Sequence, residues 1–211
     1  MVISARSADA VAATAEALGC IGVAADLADP GTPARLGEAA VSSYGRLDGA
    51  LISVGGPPGG AALSLTDEQW RDAFDSVFLG TVRLSRAVVE ALPAEGGSLV
   101  FVLSTSVKAP IAGLAASNGL RPGLAMLAKT MADELGPRGI RVNGLMPGKV
   151  LTDRIRELFG DDLEKAVDDV PLGRFGDPAE FGRVAAFLLS PAASYVTGAM
   201  VPVDGGAMRA L

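Results

Sequence analysis

Three pieces of sequence decide the fold: Ser98-Leu99-Val100-Phe101-Val102-Leu103, the long segment Gly113 to Leu135, and Ile140-Arg141-Val142-Asn143-Gly144-Leu145-Met146. The first is a near-continuous apolar run, as expected of a strand covered on both faces. The second is expected to be a helix, closed by the stop signal Gly136-Pro137 and kinked in its first part by Pro122. The third is a further strand, ending at Pro147-Gly148. Strand, helix and strand of these lengths make a parallel βαβ unit.

The alternation continues outward in both directions. Before this unit come a strand at Val2 to Ser4, a helix at Ala8 to Leu18 and a strand at Gly22 to Ala25. A helix follows from Thr32-Pro33 to about Tyr44, with the Thr32 hydroxyl as N-cap and Pro33 at the first helical position. Gly49 to Val54 is the next strand. Thr66 and Gln69 have capping-box spacing and open a helix to about Leu92. After the central unit, Thr152 to Asp169 carries seven acids and three bases, which reads as a solvated amphipathic face. Asp177-Pro178-Ala179-Glu180 repeats the capping spacing and starts a helix to about Leu189, and Met200 to Val203 is the last strand. The expected architecture is one Rossmann-type, doubly wound α/β domain over residues 1–211, with a mostly parallel sheet between helix layers. Ligands of such sheets sit beyond the C-terminal strand ends. Those ends are Ala5-Arg6, Asp26, Ser53 to Gly56, Ser104 to Ser106, and Pro147 to Thr152.

Composition narrows the chemistry. The chain has 211 residues, 49% hydrophobic and 20% charged, which suits a buried core and not a disordered segment. Its net charge of −6, without a basic run, argues against nucleic-acid binding. The absence of histidine removes a Ser-His-Asp triad and every histidine-containing metal site. The single Cys20 forms no internal disulfide or thiolate cluster, so no metal is expected. Mean hydropathy is +0.38, which raises the question of a membrane span. Gly49 to Thr66 is broken by Gly55, Gly56, Pro57, Pro58, Gly59 and Gly60, and Val184 to Val203 by Ser190-Pro191, Gly198 and Pro202. No secretory signal opens the sequence. A soluble protein of a reducing cytoplasm is expected.

The closing third carries Leu172-Gly173-Arg174-Phe175-Gly176-Asp177-Pro178, Phe187-Leu188-Leu189-Ser190, Tyr195-Val196-Thr197-Gly198 and Val203-Asp204-Gly205-Gly206. In order and spacing these resemble the tail of the short-chain dehydrogenase/reductase family, and the resemblance extends over essentially the whole chain. Asn143 to Gly148 is similar to that family's Pro-Gly strand end, and Thr152 falls where its cofactor-touching Thr lies. The resemblance implies an NAD(P)(H)-dependent oxidoreductase acting on a small carbonyl or alcohol. It also implies a homodimer or homotetramer, assembled through the helices Thr66 to Leu92 and Gly113 to Leu135.

The N-terminus departs from the family. Val2 to Ser4 matches the family's second strand, so the first strand and its Gly-rich, pyrophosphate-cradling turn, roughly 30 residues, have no counterpart. Either an upstream segment belongs to the working protein or the sheet closes differently. The first is expected, because a lost central strand is hard to offset. On the cofactor side the family's ribose-binding acid falls at Ala5, and Arg6 follows where NADP users carry a base. A guanidinium suits a 2′-phosphate by charge and by shape, so NADP is expected ahead of NAD. By resemblance, Asp26 contacts the adenine, though it also suits an ordinary turn. Gly55 closes the family's Asn-Asn-Ala-Gly loop, here Ile52-Ser53-Val54-Gly55. Pro147, Gly148 and Thr152 complete the cofactor set.

The catalytic positions depart further. Ser104 matches the family's Ser. Thirteen residues on, Ser117 stands in place of Tyr; four beyond that, Arg121 stands in place of Lys; Val77 stands at the Asn position. A Ser hydroxyl is a far weaker acid than a Tyr beside an ammonium, and Arg does not shuttle protons at neutral pH. Ser117 and Arg121, four apart, share a helix face. With Ser104 they form a candidate hydrogen-bonding or anion-binding site, where a substrate carboxylate or phosphate would suit Arg121. Thr105 or Ser106 could replace Ser104, and Lys108 is an alternative cation. Met126 and Met131 are expected in the core or an interface. Two functions follow: an oxidoreductase with a non-standard active site, or a catalytically inactive binding or scaffold protein on the same fold.

Overall fold

Strand β4 (Gly97–Val102) lies between β3 (Gly49–Ile52) and β5 (Ile140–Pro147), and β6 (Met200–Val203) completes a four-stranded parallel sheet in the order β3-β4-β5-β6. The computed structural model describes residues 1–153, 155, 156, 160 and 164–209. β1 (Val2–Ala5) and β2 (Ile21–Ala24) pair in parallel as a second, two-stranded sheet. The strands thus form two sheets and not the one continuous sheet that the sequence predicts.

Alternation along β4 assigns its two faces. Leu99, Phe101 and Leu103 turn toward the helices α4 (Gly80–Ala91) and α5 (Ala115–Leu135), in a core with Val77, Val88, Leu124, Ala128, Val142 and Met146. Val100 turns the other way, with Leu145, onto Ala185 and Leu188 of α6 (Pro178–Leu189). A sheet covered on both faces needs apolar residues on both, which is why its strands read as continuous apolar runs. The open carbonyls at the end of α6 are bound from the sheet. Arg141 Nη1 donates to the Leu188 carbonyl at 2.7 Å, Arg141 Nη2 to that of Ser190 at 3.0 Å, and Ser98 Oγ to Leu188 at 3.1 Å.

α1 (Ala8–Leu18) ends on left-handed Gly19 and buries Val11 and Ala15. It lies so close to β2 that a Cβ at Gly22 would meet Ala15 Cβ at 3.0 Å. The two sheets are tied together through α4: Arg83 Nη1 donates to the Ala28 carbonyl, and Gly80 leaves room for the Leu27 carbonyl.

Several sequence expectations are corrected. Thr32 is not the N-cap of α2 (Thr32–Tyr44). Gly31 holds that place, and the Thr32 hydroxyl is drawn into the preceding turn, donating to the Asp26 carbonyl at 2.6 Å. The helix expected from Thr66 to Leu92 is α3 (Asp67–Ala73), a π-helical stretch Phe74–Leu79, and α4. The Thr66/Gln69 and Asp177/Glu180 capping boxes both form. α5 runs unbroken through Pro122. Its glycines receive aromatic rings from the α3 side, Trp70 against Gly119 and Phe78 against Gly123. Met131 packs against the core, whereas Met126 is exposed. Much of Thr152 to Asp169 lies outside the described residues; within it, Glu164–Val167 form a 3-10 turn.

Gly148 sits where β5 leaves the sheet beside the end of β6. A Cβ there would stand 2.5 Å from Asp204 Cβ. Replacing Gly148 with Ala is expected to destabilise the fold by about 1–3 kcal/mol, the usual cost of overpacking. Urea denaturation checks this, and an unchanged midpoint would contradict the close approach.

Candidate active site and cofactor face

The C-terminal strand ends carry the candidate residues, and a 3-10 turn organises the first of them. β4 pairing reaches Leu103, whose N–H donates to the Leu145 carbonyl. Ser104 then caps the turn Thr105–Val107, its Oγ accepting from the Ser106 N–H at 3.1 Å. That turn points the Ser106 hydroxyl at α5, where Ser106 Oγ and Ser117 Oγ lie 3.3 Å apart and both residues are buried. The hydroxyl paired with Ser117 is thus that of Ser106, with Ser104 one step removed through the Ser106 N–H. Asn118 fastens the following loop, its side-chain amide donating to the Ile111 carbonyl and accepting from the Ile111 N–H. Lys108 is exposed on that loop.

Arg121 shares the inner face of α5 with Ser117, as the four-residue spacing requires, and is only 6% exposed. Its guanidinium lies across the ends of β3 and β4. Nη1 donates to the Val102 carbonyl at 2.5 Å, and Nη2 reaches the Val54 and Gly55 carbonyls, each at 3.5 Å. Nε has no hydrogen-bond partner. No carboxylate pairs with Arg121 among the described residues. Burial pushes its pKa down to about 10, which still leaves it a cation at neutral pH. Val77, at the position of the family's Asn, is buried apolar core in the π-helical stretch and offers no side-chain polar group.

On the cofactor side, Arg6 is exposed at the end of β1, with its Nη2 4.0 Å from where a Gly55 Cβ would lie. Asp26 follows β2 and serves its own turn, Oδ1 accepting from the Ala28 N–H at 2.9 Å. Pro147 closes β5. The Gly148 N–H donates to Val203 at 3.0 Å, fixing the β5 end to β6. Thr152 is exposed, and its carbonyl accepts from the N–H groups of Ile155 and Arg156. Beside this end a cleft of about 110 Å³ is lined by Lys149, Val150, Leu172, Arg174, Phe181 and Val203, too small for a dinucleotide.

These residues fit a dinucleotide on three observations. Gly55 leaves bare backbone at the strand end, Arg6 is an exposed cation without a carboxylate partner among the described residues, and Arg121 has unspent donors. No group of His, Cys, Asp and Glu among the described residues could hold a metal ion, and none of the described helices is long and apolar enough to cross a membrane. Sequence reasoning weighed Ser106 as a substitute for Ser104 but did not foresee its pairing with Ser117. The carbonyl grip of Arg121 had no local signal, because Val54 and Gly55 lie far away in the chain.

A family model described as enoyl-(acyl carrier protein) reductase matches residues 1–208. An uncharacterized oxidoreductase of Mycobacterium tuberculosis is 34% identical over 216 residues, covering 98% of this chain and 81% of the relative. The NADPH-bound short-chain oxidoreductase of Pseudomonas aeruginosa PAO1, a protein with an atypical catalytic center, superposes with a TM-score of 0.91 at 28% identity, covering 100% of this chain and 87% of that one. L-sorbose reductase of Gluconobacter frateurii, solved with NADPH and L-sorbose, gives a TM-score of 0.88 at 28% identity, again over 100% and 87%. With the sheet order, the strand-end site and these likenesses together, the chain belongs to the short-chain dehydrogenase/reductase family of NAD(P)-dependent oxidoreductases.

Proposed function

We propose that residues 1–211 form a single catalytic domain that reduces a small carbonyl compound, or oxidises the corresponding alcohol, with NADP(H) preferred over NAD(H). The observation that carries the reading is Arg121: a buried cation at the ends of β3 and β4, beside a pair of buried serine hydroxyls. The cofactor, when bound, supplies or accepts the hydride. The chain's own residues supply the polar side of the site. A serine hydroxyl, from Ser104 or from the Ser106/Ser117 pair, donates a hydrogen bond to the substrate oxygen. The charge of Arg121 stabilises negative charge developing on that oxygen, which is worth most in a water-poor setting. Neither group titrates near neutral pH, so the site works as an electrostatic one, and the proton that completes the alcohol comes from solvent water, to which it returns in the oxidation direction, and not from a tuned side-chain acid.

Arg6, with no carboxylate partner among the described residues, supports a preference for the 2′-phosphate of NADP, and the two NADPH-bound neighbours lean the same way. Asp26, Gly55, Pro147, Gly148 and Thr152 complete the proposed cofactor side. The atypical center of the Pseudomonas relative supports catalysis without the family's usual residues. The competing reading, an inactive scaffold, rests on the replaced Tyr, Lys and Asn. A cytoplasmic location belongs to the same proposal.

The test is NADPH-dependent reduction of a panel of small aldehydes and ketones. Arg121→Ala should abolish the turnover seen with the unaltered chain, and undiminished turnover would remove Arg121 from the mechanism. Assembly is proposed as a homodimer or homotetramer through α3, the π-helical stretch, α4 and α5, supported by the exposed Phe74 of the π-helical stretch and Met126 of α5. Light scattering at micromolar concentration should give two or four copies, and a monomer would contradict this.

A further inference from the structure

The stretch Gly55-Gly56-Pro57-Pro58-Gly59-Gly60 sets two prolines between two pairs of glycines. Proline locks φ and glycine frees it, so a stiff centre lies between two loose ends. Gly55, Gly56, Pro58 and Gly59 are exposed, whereas Pro57 is buried. One residue of an otherwise solvated stretch is turned inward.

Both ends of the stretch rest on α5 and its lead-in. At one end, Arg121 Nη2 reaches the Gly55 carbonyl at 3.5 Å. At the other, the Gly60 N–H donates to the Gly113 carbonyl at 2.7 Å, and the Gly60 carbonyl accepts from the Ala115 N–H at 3.2 Å. Asn118 fixes the loop that carries Gly113, through its two hydrogen bonds to Ile111. Residues 55–60 thus run along the first two turns of α5, from Arg121 back to Ala115, and Ser117 lies between these contacts. Ser106 is 4% exposed, and Ser117 and Arg121 are each 6% exposed. That leaves a substrate oxygen almost no surface of theirs to meet, and only Ser104 is half-buried.

We propose that residues 55–60 form a flap over Ser117 and Arg121, with Gly55-Gly56 as its hinge, Pro57 as its inward face and the Gly60 bridge as its latch. Lifting breaks the two latch hydrogen bonds, which exchange for bonds to water at a small net cost. The loop held by Asn118 stays in place. Closed, the flap keeps water from the arginine and the serine pair, the setting in which a fixed charge is worth most. That the molecule admitted is a carbonyl substrate rests on the function proposed above, whereas the opening itself does not.

The experiment is N-ethylmaleimide labelling of the full chain carrying Ser117→Cys and Cys20→Ser, the second change removing the native thiol. Labelling should be slower than that of free cysteine by roughly tenfold or more, and nearly independent of low urea, because a local opening exposes little surface. Pro57→Gly loosens the flap and Gly59→Ala stiffens it. Position 59 has no positive φ, and a Cβ there would stand 3.5 Å from the Gly113 carbonyl, an ordinary contact. The first variant should raise the labelling rate and the second lower it, each by roughly two- to fivefold. Labelling as fast as free cysteine, labelling that follows global unfolding in urea, or a rate that neither variant moves overturns the flap. If the Ser117→Cys chain fails to fold, hydrogen exchange of the unaltered sequence decides. The Gly60 and Ala115 amides should then exchange together, faster than those of the β4–β5 ladder, and exchange as slow as the ladder overturns the flap. Carbonyl turnover is scored separately. Gated labelling without any turnover would refute the proposed function alone, and turnover with ungated labelling would refute the flap alone.

Discussion

The parallel pairing of β4 with β5 is the constraint on which the rest depends. Leu99, Val100, Val142 and Leu145 are fully buried, so the backbone groups between them have no water to turn to. An unpaired buried amide or carbonyl costs about 1–3 kcal/mol, and the ladder from Gly97↔Ile140 to Val102↔Leu145 removes that cost residue by residue. With the pairing fixed, the side-chain alternation follows, and with it the two helix layers. The strand ends are then set at one level, which puts Ser104 and Pro147 on the same edge of the sheet. The ladder also ends with carbonyls to spare, and the Val102 carbonyl is where Arg121 lands.

Arg121 joins fold and site. Its guanidinium holds the loop after β3 against the end of β4, and it does so as a cation buried without a carboxylate among the described residues. Backbone carbonyls satisfy part of its donor set and leave Nε bare. A lysine has one donor centre and would not span the same three carbonyls. The fold tolerates this charge at the edge where a doubly wound sheet binds its ligands. The same residue thus keeps a charge at this edge of the sheet although Ser117 stands where the family has its tyrosine.

Much of the fold was legible because local signals coincide with element ends. α1 and β6 have the bounds the sequence predicts, the first because Ser7 and left-handed Gly19 close it at either end. The capping boxes at Thr66 and Asp177 need only residues three apart. The misses are tertiary. The Thr32 hydroxyl had a choice between its own helix and the Asp26 carbonyl, and the packed turn decided it. The π-helical stretch Phe74–Leu79 lies inside a segment whose apolar periodicity reads as plain helix. In the site, the i, i+4 face of Ser117 and Arg121 could be read from spacing alone. The pairing of Ser106 with Ser117 could not, although Ser106 was a candidate beside Ser104, because it depends on how a single 3-10 turn aims one hydroxyl.

The central claim is that this strand edge, as it stands, holds a nicotinamide dinucleotide. Titration calorimetry of NADPH, with NADH beside it, into the chain of 211 residues tests that most directly. Micromolar binding of NADPH, tighter than that of NADH, is the result the account predicts. An absence of binding to either dinucleotide by a chain that is folded by circular dichroism would contradict it.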